Sequence, residues 1–285
     1  MGSFFGQDEH SLFCASDCSL FGFDLRRPEV LLHEVNRNKI LAVSHNNAPP
    51  LMVWLTDVQA RSTMVDIAED EIDHIVMSPD GTQLAMADDS GVVQVYDVTA
   101  GGEVALRPSL HHQSHQNICT SVCFLTGDNG SCLASGGLDA TVRLVDLSRP
   151  ETDTHILFES QGAQTQVTNP PLVHRVAAHP AKPRLAAALG NGAVAVLDVH
   201  EGGLRLWAML EEGHATSASQ VVWLTGGSQL VSGGNDERIV LWDLPAGDSH
   251  IYEHGSKVNW LAASTEGLLV ADQGSRVHLI DPARL

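Results

Sequence analysis

One segment recurs along the chain, and it restricts the fold more than any other feature. Residues 232–244 read SGGNDERIVLWDL. Other segments align on its closing aspartate: SGGLDATVRLVDL at Asp146, MADDSGVVQVYDV at Asp97, AALGNGAVAVLDV at Asp198, VADQGSRVHLID at Asp281 and CASDCSLFGFDL at Asp24. A seventh, diverged unit, LAVSHNNAPPLMVWLTD, closes near Asp57. Seven units in 285 residues make about 41 residues each, the length of a four-stranded propeller blade.

Inside a unit the residues favour strands. Val92, Val93, Val95 and Tyr96 are β-formers, as are Ile239, Val240, Leu241 and Trp242, and both runs follow a turn of Asp, Asn, Gly or Ser. A second short strand precedes each turn, as in Leu84–Ala87 and Leu133–Gly136. A further strand, such as Ile75–Met77, leads into Ser-Pro-Asp-Gly, a strong turn signal. Seven residues before the closing aspartates stand Asp17, Ser90, Asp139, Asn191, Asp236 and Gly274, mostly short polar residues suited to a hairpin. Helix caps and 3.6-residue apolar stripes are scarce. The fold class is therefore all-β, a single seven-bladed propeller over residues 1–285.

In the best unit Gly213-His214 precedes the first strand, Ser232 lies on the second, Asp236 in the turn and Trp242 on the third. These four can form one hydrogen-bonded chain inside the blade. On paper they look like a serine-protease triad, but buried polar groups are ordinarily satisfied within the fold, and the structural reading is preferred.

Gly213-His214 followed by Trp242-Asp243 resembles the WD-repeat family, and the resemblance runs over nearly the whole chain, with one good repeat and weaker ones around it. HQNICTSVCF (115–124), LAMADDSG (84–91), HGSKVNWL (254–261) and LLVADQGS (268–275) narrow it to one branch of that family. The resemblance implies a propeller that binds protein or peptide partners. It also implies an outer strand, supplied from the N-terminus, that closes the last blade. Here the chain starts at about the first strand of its first blade and stops after the third strand of its last, so either a partner adds the outer strand, the natural protein starts further upstream, or the last blade has three strands, which is the preferred expectation. A long polar, basic insertion between the last two blades is also absent.

Repeat alignment places Asp73, His74, Asp88, Asn117, Leu138, Arg175, Asn235, Lys257, Asn259 and Asp272 on one face as candidate partner-binding residues. Phe23-Asp24-Leu25-Arg26 resembles the WD-x-R box by which some WD-repeat proteins dock on the adaptor of cullin–RING ubiquitin ligases, with Phe23 in place of the usual Trp. An Arg fork beyond a blade edge can bind a carboxylate or carbonyl; the plain alternative is a surface arginine after a strand. Val145-Asp-Leu-Ser-Arg149 has its arginine one place too late. The implied role is a non-catalytic interaction scaffold, either a substrate receptor of such a ligase or a structural subunit of a large assembly.

Reactive chemistry is weakly represented. His111, His112 and His115, with Cys119 and Cys123, could bind zinc or copper, but His115 falls at the blade-capping position and the others in a loop between blades. Cys14, Cys18, Cys119, Cys123 and Cys132 are read as small buried side chains in a reducing compartment, cytoplasmic or nuclear. Gly190-Asn-Gly-Ala-Val-Ala195 mimics a dinucleotide fingerprint but opens no helix, so it is read as a hairpin. No nucleophile elbow, P-loop, HExxH or kinase signature occurs. No enzyme activity, metal or cofactor is expected.

Charge narrows the partners. Thirty-five acidic residues against sixteen basic ones give a formal charge of −19, which disfavours nucleic acid. No apolar run is long enough for a membrane helix, and Asp8 and Glu9 stand where a secretion signal would be basic or apolar. Asp66, Glu69, Asp70, Glu71 and Asp73 form an acidic run that either is solvated or steers a basic partner. Residues 160–171 form a polar loop in the longest repeat, suited to recognition or to neutral insertion.

Overall fold

A computed structural model describes residues 2–5, 11–16, 19–24, 27–36, 72–97, 108–125, 131–159, 169–201, 203–264, 267–274 and 277–285, with side chains from residue 72 onward, Ser264 excepted. The first sheet comprises β1 (Gly2–Phe5), β2 (Ser11–Ser16), β3 (Ser19–Asp24) and β4 (Arg27–Asn36). The next is β5 (Ile72–Met77), β6 (Gln83–Asp88), β7 (Val92–Asp97) and β8 (Leu110–Gln113). It is followed by β9 (Cys119–Phe124), β10 (Cys132–Gly137), β11 (Thr141–Asp146) and β12 (Thr154–Leu157). Then come β13 (Val173–Ala178), β14 (Arg184–Leu189), β15 (Val194–His200) and β16 (Gly203–Leu210). A further sheet holds β17 (Ala218–Trp223), β18 (Gln229–Gly234), β19 (Arg238–Asp243) and β20 (Asp248–Glu253). The last has three strands, β21 (Val258–Ser264), β22 (Gly267–Asp272) and β23 (Val277–Ile280), before a 3₁₀ turn at Pro282–Arg284.

Every pairing is antiparallel and joins neighbours in sequence, so each sheet is a meander. The first strands pack against one another from blade to blade, β5 on β9, β9 on β13, β13 on β17, β17 on β21 and β21 on β1. They line the axis, and the fourth strands lie outermost. This is a β-propeller built from short, alternating, turn-punctuated strands.

The burial pattern follows from that stacking. Second strands are buried almost end to end, as in β6, β10, β14 and β18, because both faces are covered by adjacent blades. Outer strands β8 and β12 alternate between half-buried and exposed, and β20 is exposed throughout. The apolar clusters accordingly sit between blades. Val142 and Leu144 pack with Leu185 and Leu197, Val194 and Val196 with Val221 and Trp223, and Val231 and Ile239 with Leu268 and Val270.

The closing aspartates of the repeats fall where strands end. Asp24, Asp97, Asp146 and Asp243 are the last residues of β3, β7, β11 and β19. The blade count needs correction, however. The described residues form five four-stranded blades and one three-stranded sheet, not seven blades. The count of seven rested on the unit ending at Asp57, which lies outside the described residues. Its Pro49-Pro50 pair replaces the glycine-marked hairpin of the other units, so the closing aspartate alone was its marker.

Candidate protein-interaction site

Five first strands share one irregularity. The ladder to the second strand slips between Ile72 and His74, between Val173 and Arg175, between Ala218 and Gln220, and between Val258 and Trp260; in β9 it slips opposite Gly136 and Gly137, at Cys119 and Ser121. A bulge at the same place in each blade re-aims the residue that follows it. The residues so placed are His74, Ser121, Arg175, Gln220 and Trp260.

Three of them meet. The guanidinium of Arg175 lies 4.2 Å from the Trp260 ring centroid, and the His74 ring is 5.8 Å from the same indole. They come from β13, β21 and β5, none of which neighbours another around the axis. Their side chains therefore meet over the channel itself. Among the described residues no carboxylate lies within ion-pair distance of Arg175. Burial pulls its pKa down to about 10, yet the side chain is still partly solvent-accessible. A group enclosed on all sides but open along an axis has both properties. Stacking on the indole supplies attraction of about 0.5 to 2 kcal/mol in place of a counter-ion.

Burial holds the His74 pKa well below its ordinary value, and the nearby Arg175 charge lowers it further, against the opposing hydrogen bond with Val122. His74 is thus neutral at pH 7, and its Nδ1 accepts the backbone N–H of Val122 on the next blade at 3.1 Å. Ser121 Oγ does the same for Val176 N–H, also at 3.1 Å. The bulged residues staple blades too: Thr120 donates to the Val173 carbonyl at 2.7 Å and Ser219 to that of Val258 at 2.6 Å.

The residues picked from repeat alignment all fall at this end of the blades, at the start of a first strand or the end of a second. Asp73, Asn117, Asn235 and Lys257 are exposed, while Leu138, Arg175 and Asn259 are half-buried. His74, Asp88 and Asp272 are buried. The Asp88 carboxylate accepts from Ser90 N–H, Ser90 O–H and Val92 N–H, so it serves its own turn. The repeat alignment does not select Trp260, although the sequence carries a signal for it. It follows Asn259 in the inner strand, where an indole is out of scale with Ser121 and Gln220.

Behind this face lie the blade tetrads. His214 Nδ1 is 3.0 Å from Asp236 Oδ1, His214 Nε2 is 2.7 Å from Ser232 Oγ, and Trp242 Nε1 donates to the same hydroxyl at 2.8 Å. His115 repeats the pattern with Asp139 at 3.0 Å, Ser135 at 2.9 Å and Thr141 at 3.0 Å. Its ring nitrogens are thereby engaged within the blade, while His111 and His112 stand on β8 at the periphery. The second glycine of Ser-Gly-Gly makes room for the histidine: a Cβ at Gly137 or Gly234 would stand 2.5 Å from His115 or His214 Nδ1.

Cys119 and Cys123 are buried with thiol pKa values pushed up by desolvation, that of Cys123 to about 12. They are inert apolar side chains. Residues 190–193 form the hairpin turn between β14 and β15, with Gly192 N–H bonded to the Leu189 carbonyl. Phe23 and Asp24 end β3; Arg26 lies outside the described residues, as do most of the acidic run and of the 160–171 loop.

Comparison with known proteins agrees with this architecture. The WD40 repeat (WD domain, G-beta repeat) matches residues 107–146 and 204–243. The second match spans β16 to β19, so the repeat runs from the outer strand of one blade through three strands of the next and interlocks them. The WD repeat-containing protein 53 homolog of Dictyostelium discoideum is 26% identical over 260 residues, covering 84% of this chain. The chain spans 62% of the length of that relative. WD-repeat propellers are generally non-catalytic protein-interaction scaffolds. No helix among the described residues is long and apolar enough to cross a membrane.

Proposed function

We propose that this WD-repeat propeller is an interaction scaffold that takes an acidic side chain of a partner at the mouth of its channel. One observation carries the reading: Arg175 is held over Trp260, in the low-dielectric channel, with no carboxylate of its own among the described residues. A partner carboxylate there gains a charge-assisted bond that water does not fully screen. Asn117, Asn235 and Lys257, exposed at the same end of the blades, would supply a polar rim of the kind interaction sites commonly have.

A peptide array scored against the immobilised full chain tests it. Binders should be rich in Asp or Glu, and Arg175→Gln should lose them. Binders without acidic residues, or indifference to the substitution, would refute the reading.

Two finer roles fit a scaffold. As a substrate receptor of a cullin–RING ligase, the chain would dock its adaptor through Phe23, Asp24 and Arg26; the WD-x-R-like sequence is what supports this. As a subunit of a large assembly it would co-purify in fixed stoichiometry with its neighbours. Adaptor pull-down that survives Arg26→Ala removes the first.

A further inference from the structure

The three-stranded sheet lacks the serine, aspartate and tryptophan of the tetrad, with Val270, Gly274 and Ile280 in their places. Asp272 ends β22 opposite Val258, as Gly234 ends β18 opposite Ala218. Where glycine admits a capping histidine, an aspartate now projects. The serine position of the tetrad is taken by Val270, whose cross-strand partner on β23 is His278. The tetrad cannot form, and three other groups converge.

His254 Nε2, from the linker before β21, lies 2.7 Å from Asp272 Oδ2; His278 Nε2 lies 3.4 Å from the same oxygen. The two rings are perpendicular, with centroids 5.0 Å apart. All three ligand atoms lie within 4.8 Å of one another. Four-coordinate zinc with nitrogen and oxygen ligands at about 2.0 to 2.2 Å requires ligand atoms about 3.3 to 3.5 Å apart, so small side-chain rotations suffice. Asp272 Oδ1 accepts the Gly274 N–H at 2.6 Å, an outer contact that fixes the carboxylate plane. The His254 and Asp272 side chains are 5% exposed, while that of His278 is 43% exposed. The cluster is thus buried at His254 and Asp272 and reaches solvent through His278.

We propose that His254, Asp272 and His278 form a zinc site. Each histidine presents the Nε2 lone pair and keeps its proton on Nδ1; the aspartate binds ionised. The ion ties β23, the last strand of the three-stranded sheet, to the linker that leaves the preceding blade. Nothing reactive is required of it. The inference is independent of the channel-mouth reading, because the two sites share no residue.

Equilibrium dialysis of the purified full chain against Zn²⁺ tests it, beside His278→Ala, Asp272→Asn and a His111→Ala/His112→Ala control. One zinc per chain should be retained by the wild type and the control, with affinity falling at least tenfold in the first two variants. His278→Ala removes a half-exposed ring and should keep the wild-type circular dichroism spectrum. Zinc should raise the thermal midpoint of the wild type and leave that of His278→Ala unmoved. No retained zinc, or equal retention by His278→Ala, overturns the proposal.

Discussion

Val258, at the start of β21, packs against the backbone of Gly233 in the preceding blade so closely that a Cβ on Gly233 would stand 2.4 Å from Val258 Cγ1. Gly136 and Val173 repeat the relationship at 2.4 Å one pair of blades earlier. The matching second-strand positions elsewhere carry alanine, Ala87 and Ala188. The first strands facing them begin with smaller residues, Cys119 and Ala218, in the same apolar clusters. At the four boundaries between β5 and β23 the sizes are complementary: glycine meets valine, and alanine meets cysteine or alanine.

This complementarity predicts a compensating pair. Gly233→Ala should destabilise the protein by about 1 to 3 kcal/mol through overpacking. Val258→Ala should cost a similar amount by leaving a cavity. The double variant should lose less than the sum, with a coupling of about 1 kcal/mol or more. Urea unfolding of the four proteins measures this; additive losses would show that the two positions do not press on each other.

The tetrad in the β17–β20 blade should be costly to interrupt. Ser232→Ala leaves the Trp242 indole N–H without its acceptor and His214 Nε2 without its partner, both buried, so a loss of about 2 to 4 kcal/mol is expected. Trp242→Phe removes a donor and some packing and should cost about 1 to 3 kcal/mol. The β9–β12 blade has Val145 where the tryptophan stands. There Ser135→Ala strands fewer groups and should cost less than Ser232→Ala. An equal cost would show that the indole bond adds nothing.

Stability should fall as the solution is acidified through the histidine range. Burial depresses the pKa values of His74, His115 and His214, in the last two against the pull of Asp139 and Asp236. Below the unfolded value of 6.5 the unfolded chain therefore binds more protons than the folded one. Each histidine then removes up to about 1.4 kcal/mol per pH unit until its folded pKa is reached. The thermal midpoint should drop from pH 7 to pH 5, and His74→Gln, which keeps an acceptor for Val122 N–H, should flatten the slope. A midpoint that holds steady or rises on acidification would contradict these depressed values.

Much of the fold was legible because the information is local. A turn of Asp, Asn or Gly before a β-branched run ends at an aspartate in every well-formed unit, and strands form wherever that pattern occurs. The Ser-Gly-Gly triplet and Gly213-His214 placed the tetrad residues, since hydrogen-bond partners within a blade keep fixed sequence offsets. The count of seven depends on the 41–57 unit, which lacks the hairpin that marks the rest.

The linear chain thus determined what each blade is: the strand order, the turn chemistry and the small residues that let neighbours approach. Only the stacking of the blades decided what meets across them. His74, Arg175 and Trp260 are up to 186 residues apart in the numbering, and no local pattern links them. A bulge aims each inward, and the axis brings them together. Likewise His254, Asp272 and His278 come from a linker and two strands and converge only in the folded sheet. Periodicity can be read from one strand at a time, but convergence depends on distances through space, which only the assembled propeller sets.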